Sequence, residues 1–231
     1  MTTLTTIGID ADDTLWQSEH YFKLTEAYFQ ELLADHASPA ELGQKLLATE
    51  RRNLHFYGFG VKGFVLSMID TAIEVTKGQV PASVIGHILR AGRDMVSHPV
   101  TPLADVPEVL DRLRESYSLV LITKGDLFDQ ERKLAASGLG DFFHAIEIVS
   151  DKNAATYQRI FSRHGKGPDR AAMVGNSLKS DIMPALEAGS FGIFIPHALT
   201  WEHEHTTTPL EHPRFRHAEA FAKLPEILKN L

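Results

Sequence analysis

Thr5-Thr6-Ile7-Gly8-Ile9-Asp10-Ala11-Asp12-Asp13-Thr14 decides the fold. Its first half is short, β-branched and apolar, which predicts a buried strand. Its second half is polar and acidic, which predicts a loop at the strand's carboxyl end. Downstream, from about residue 18 to residue 97, the pattern is helical only. Apolar residues recur at helical spacing through 21–33, 40–54, 64–75 and 84–96, with breaks at Ser38-Pro39, at the glycines between Gly58 and Gly63, and at Pro81. After Pro102 strands and helices alternate: helix 107–115, strand 119–123, helix 127–137, strand 145–149, helix 154–164, strand 171–175, helix 180–188, strand 192–195. Such alternation predicts an α/β fold, a Rossmann-like parallel sheet covered by helices on both faces. The helical stretch is then an insertion after strand one. This divides the chain into an α/β core, residues 1–16 and 99–231, and a helical domain, residues 17–98. A polar, histidine-rich tail follows residue 197, and a short helix with Pro225 in its first turn closes the chain.

Composition narrows the function classes. The 231 residues are 43% hydrophobic and 23% charged, with a formal net charge of −7. That suits a packed globular protein and offers no basic surface for a nucleic-acid polymer. No cysteine is present, which excludes disulfides, thiolate metal sites and a cysteine nucleophile. Acidic residues by position 10 and the lack of a long apolar run predict a soluble, cytoplasmic protein without a membrane partner, as a monomer or homodimer.

Ligands of parallel α/β sheets bind beyond the carboxyl ends of the strands. Those ends carry Asp10, Asp12, Asp13 and Thr14; Thr123 and Lys124; Asp151 and Lys152; and Gly175, Asn176, Ser177 and Asp181. The ordered set resembles the four motifs of the haloacid dehalogenase superfamily of hydrolases. Asp10-Ala11-Asp12-Asp13-Thr14 matches D-x-D-x-T, Thr123 the hydroxyl ending a hydrophobic strand, and Lys152 the lysine at a helix start. Gly175 to Asp181 matches G-D-x-x-x-x-D with Asn176 in place of the first aspartate. The insertion after strand one matches the family's commonest cap position.

The chemistry suits transfer of a phosphoryl group, where positioning and charge neutralisation dominate. Asp10 is the candidate nucleophile, and Asp12 can protonate the leaving alcohol and then activate water. Mg²⁺ would relieve the repulsion between Asp10 and an anionic substrate, with Asp10, Asn176 and Asp181 as ligands. The resemblance adds the Asp12 carbonyl to that set. Thr123 and Lys152 are assigned to the phosphate. Lys124 is read either as site rim or as surface charge. Lys62, in the glycine-rich stretch of the helical domain, is a candidate substrate contact. Asp13 is assigned to organising the loop. His197, His203, His205, His212 and His217 lack the spacing of a closed zinc site.

The expected activity is a Mg²⁺-dependent phosphatase acting on a small phosphorylated metabolite, of the sugar phosphate or nucleoside monophosphate class. A 2-haloacid dehalogenase would share Asp10 and tolerate Asn176, but has no leaving alcohol for Asp12 to protonate. A phosphosugar mutase shares all four motifs. A phospho-accepting regulatory module is the alternative outside catalysis.

Overall fold

A computed structural model of the chain describes residues 3–204 and 206–231; His205 of the tail lies outside the described residues. It divides into two compact units.

The first unit comprises residues 3–19 with Val100–Lys124 and Gln130–Leu231. Its strands are β1 (Thr6–Ile9), β2 (Ser118–Lys124), β3 (Ala145–Val149), β4 (Ala171–Gly175), β5 (Phe191–Phe194) and β6 (Phe215–His217). They form one sheet in the order β3-β2-β1-β4-β5-β6, with every neighbouring pair parallel. Strand side chains alternate between faces, and both faces are apolar. Ile7, Ile9, Leu119, Leu121 and Val174 pack with Val106, Leu110 and Leu113 of one helix (Val106–Arg114) and with Leu224 and Leu228 of the last (Leu224–Lys229). Val120, Ile122 and Met173 pack on the other face with Tyr157, Ile160 and Phe161, which lie on the helix Ala154–His164. Burial on both faces explains why these strands read as continuous apolar runs. The α/β class and the parallel sheet expected from sequence are what the chain forms.

Two elements differ from expectation. The sheet has a sixth strand, β6, inside the stretch read as polar tail. Three residues pairing with one neighbour are too few to carry a period-2 signal. The helix expected over 180–188 opens instead with a π-helical turn, Leu178–Ile182, before an α-helical turn and a half, Met183–Glu187. Widened turns of this kind recur at functional sites.

The second unit, His20–Pro99 with Gly125–Asp129, is helical among the described residues. The helices Glu19–Leu32, Pro39–Tyr57, Val61–Val75 and Ala82–Ser97 bury Phe29, Leu33, Leu42, Leu46, Phe64, Met68, Ala72 and Ile88 together. The sequence breaks act as caps. Ser38 Oγ accepts from Glu41 N–H, Pro39 occupies the first helical turn, and Gly58 ends that helix at φ 68°. No helix among the described residues is long and apolar enough to cross a membrane.

Candidate active site

β1 is the innermost element of the site. Beyond Ile9 the chain keeps sheet contact for one more residue, the Asp10 N–H donating to the Val174 carbonyl at 2.9 Å. The register pairs Ile9 with Leu121 and with Val174, so Asp10, Thr123 and the residues after Gly175 leave the sheet along one edge. Asp13, at φ 60°, turns the loop back, and its carboxylate accepts from the N–H groups of Ser18 (2.8 Å) and Glu19 (3.0 Å). Asp13 thus organises the loop, as the sequence suggested.

Lys152 enters from the link between β3 and the following helix. Its Nζ donates to Asp10 Oδ1 at 2.5 Å and to Asp181 Oδ1 at 2.7 Å. All three side chains are less than a tenth exposed. Asp181 is aimed there by the π-turn, and its Oδ2 accepts from Ser177 N–H at 2.9 Å. The approach requires glycine at 175, since a Cβ there would lie 2.2 Å from Asp181 Oδ2. Two carboxylates thereby share one ammonium. Burial raises the Asp10 carboxyl, the Asp181 charge adds to it, and Lys152 offsets them only in part, leaving it at about 7. Burial works against the Lys152 charge, but the two carboxylates outweigh it and hold the ammonium above the ordinary lysine range.

The other oxygen of Asp10 faces Thr14, whose hydroxyl donates to Oδ2 at 3.2 Å. The Asn176 amide ends 3.2 Å from both Asp10 Oδ2 and the Asp12 carbonyl oxygen. With its nitrogen turned toward them, it donates to both. With its oxygen there, Thr14 donates to it at 3.3 Å, and a carboxylate, a carbonyl and an amide oxygen form one face. Oxygens around an octahedral Mg²⁺ lie about 2.9 Å apart, close to these separations. No cluster of three or more His, Asp or Glu side chains suited to a metal occurs among the described residues. A carboxylate, a carbonyl and an amide oxygen are the kind of hard donors that Mg²⁺ takes, with room left for substrate oxygens.

Asp12 has partners that the motifs do not include. Its carboxylate accepts from Lys133 Nζ at 2.7 and 2.8 Å, from Gln130 Nε2 at 2.8 Å and from Trp16 Nε1 at 2.8 Å. Burial opposes its charge, yet the Lys133 ammonium and these hydrogen bonds outweigh it and hold the carboxyl below the usual carboxylate range. In this arrangement Asp12 is a charged base, and becoming an acid requires loosening that grip. Lys133 and Gln130 were not legible as site residues. They lie on the helix Leu127–Ser137 and look like ordinary surface positions in sequence.

The lysines divide sharply. Lys124 does not sit on an open rim: its Nζ donates to Glu204 Oε1 at 2.5 Å and to Ser180 Oγ at 2.6 Å. Lys62 belongs to the helical unit, where it pairs with Asp126 Oδ2 at 3.0 Å and lies 5.8 Å from the Phe128 ring centroid. Thr123 is 2% exposed, at the end of β2. Of the tail histidines, His203 lies against Lys179 Nζ at 3.1 Å and His197 is 3.8 Å from Asp13 Oδ1.

A parallel sheet with an acidic nucleophile candidate at the end of an inner strand, clamped by a lysine entering from the link after β3, two strands away, defines a class of hydrolase. The chain belongs to the haloacid dehalogenase-like hydrolases, whose family model matches residues 4–189. A haloacid dehalogenase-like family hydrolase from Xanthomonas campestris has a solved structure similar over 99% of this chain and 91% of its own, at 41% identity and a TM-score of 0.88. Among characterised relatives, the glyceraldehyde 3-phosphate phosphatase of Methanothermobacter thermautotrophicus is 24% identical over 209 residues, 85% of this chain and 88% of its own. The fold is shared with a 2-haloacid dehalogenase from Pseudomonas syringae, at 20% identity, coverage of 99% of each chain and a TM-score of 0.63.

Proposed function

We propose that the protein is a cytoplasmic, Mg²⁺-dependent phosphomonoesterase acting on a small phosphorylated metabolite, with Asp10 as nucleophile. The observation that carries this is a second carboxylate, Asp12, two residues beyond Asp10 and free of the Lys152 clamp. A leaving alcohol needs a proton and a leaving halide does not, so Asp12 serves ester cleavage only.

Lys152 holds Asp10 Oδ1, which directs the nucleophile and leaves Oδ2 toward the oxygen face. Asp10 Oδ2, the Asp12 carbonyl and the Asn176 amide oxygen would hold Mg²⁺, with Asp181 adding charge behind them. The bound ion would supply positive charge that keeps Asp10 ionised beside an anionic substrate. Asp10 attacks phosphorus, the bond from phosphorus to the leaving oxygen breaks, and Asp12, protonated once the Lys133 grip loosens, delivers that proton to the leaving oxygen. In the second half of the cycle Asp12 takes a proton from water, whose oxygen attacks the aspartyl-phosphate and frees Asp10. Thr123 and Lys152 contact the phosphoryl oxygens. Lys124 pairs with Glu204 and Lys62 with Asp126, so a substrate contact by either would compete with its carboxylate.

The similarity to a glyceraldehyde 3-phosphate phosphatase over most of both chains supports this reading. Asn176, a neutral group where an acid is common, favours a second reading as a metal-free 2-haloacid dehalogenase. A panel of phosphometabolites with phosphate detection, run with Mg²⁺ and with EDTA on wild type and Asp10→Asn, tests the first. Turnover should require the metal and vanish in the variant. Equal rates in the two proteins would remove Asp10 as nucleophile, and halide release from a 2-chloroacid in EDTA would establish the second.

A further inference from the structure

The stretch after β5 contributes a buried carboxylate to the site that no motif contains. Glu204, on the short turn Glu202–Glu204, is 9% exposed. Its Oε1 accepts from Lys124 Nζ at 2.5 Å, and its Oε2 accepts from Ser177 Oγ and Ser180 Oγ, each at 2.5 Å. Ser177 Oγ in turn accepts from Ser180 N–H at 2.9 Å, and Ser177 N–H donates to Asp181 Oδ2. One carboxylate thus ties both ends of the Ser177–Ser180 turn to the residue after Thr123. A second tie runs beside it, Lys179 Nζ donating to the His203 carbonyl at 2.8 Å. The turn so held is bracketed by Asn176 and Asp181.

We propose that Glu204 is a positioning residue: it locks the turn that presents Asn176 and Asp181 and ties it to Lys124 at the end of β2. Groups behind a metal's own ligands matter because they fix ligand orientation; losing one typically costs about 10–100-fold in metal affinity. The inference rests on the proposed Mg²⁺ site for its metal arm, and on geometry alone for its arm on local order.

The test compares wild type with Glu204→Gln, and with the double variant Lys124→Met/Glu204→Gln, which removes the ammonium together with its carboxylate partner and so keeps the experiment decisive if the single variant folds poorly. Amide hydrogen exchange is followed by peptide, Mg²⁺ binding by calorimetry without substrate, and turnover against Mg²⁺ concentration. Exchange over residues 176–182 should quicken by about tenfold or more, while helices of the second unit stay as in wild type. Mg²⁺ affinity should fall by at least about tenfold, and lost turnover should return as Mg²⁺ is raised, which general destabilisation would not produce. Wild-type exchange over 176–182 in both variants, or unchanged Mg²⁺ affinity, overturns the proposal. A wild-type protein that binds no Mg²⁺ and hydrolyses no phosphomonoester refutes the phosphatase reading instead. Exchange then decides alone: quickening confined to 176–182 sustains the role of Glu204, and none refutes it.

Discussion

Replacing Asp10 with Asn should abolish turnover and at the same time stabilise the folded sheet unit above neutral pH. The reasoning starts from two buried carboxylates facing the single ammonium of Lys152. The Asp10 carboxyl sits at about 7 instead of 3.8, a displacement worth up to about 4 kcal/mol of folding free energy. The sign follows from proton binding. Between pH 4 and 7 the folded chain keeps a proton on Asp10 that the unfolded chain has released, so wild-type stability falls as pH rises through that window. Above it the penalty is fully present. Asn carries no charge at any pH, and its amide suits the position. Oδ1 still accepts from Lys152, while the NH₂ at the Oδ2 place faces Thr14 Oγ and the Asn176 amide oxygen. The variant should therefore exceed wild type by about 1–2 kcal/mol at pH 5 and by up to about 4 kcal/mol at pH 8. Urea unfolding in EDTA, followed by tryptophan emission, measures this in the right place, because Trp16 and Trp201 both belong to the sheet unit. A variant less stable than wild type at pH 8, or a gap identical at both pH values, would show that Asp10 is not under electrostatic stress.

Lys133→Met should free the Asp12 carboxyl to rise, since burial remains when the ammonium is gone. The acidic limb of the pH–kcat profile should move to higher pH and kcat should fall about 10²-fold; an unmoved limb would separate Asp12 from proton transfer. Glu204, held at about 2 by the Lys124 charge and three side-chain donors against the opposing effect of burial, contributes about 3 kcal/mol above pH 4.5 that is lost as pH falls toward 2. Acid unfolding followed by circular dichroism should show that loss in wild type, and Glu204→Gln should lack this pH-dependent component. Gly175→Ala places a methyl group against Asp181 and should cost about 1–3 kcal/mol, read as a lowered thermal midpoint with loss of Mg²⁺ binding.

What sequence showed and what it hid follow one physical division. Ile7, Ile9, Leu119, Leu121 and Val174 are buried in a sheet covered on both faces, so their character repeats along the chain and needs no knowledge of partners. Asp10 and Lys152 were legible because each lies just beyond the carboxyl end of a strand, the rim where a parallel sheet gathers its polar site residues. Lys133 and Glu204 were not, because each is defined by one long-range partner, Asp12 or Lys124, and a lone lysine on a helix or glutamate in a polar tail looks solvated. Lys124 shows the same limit from the other side: its position was found, but which carboxylate claims it was not. The π-turn leaves no mark in the sequence, because a widened turn keeps the apolar spacing of a helix start.

Glu204 lies 15 residues past the end of the family match at residue 189. A shortened chain ending there would retain D-x-D-x-T, Thr123, Lys152 and Asp181, and would pass any inspection for the hallmark residues. It would nonetheless lack the carboxylate that braces Ser177, Ser180 and Lys124, along with two strands of the sheet. The hallmark residues and the carboxylate that braces their turn thus lie in separate segments of the chain, the second one carrying no motif of its own.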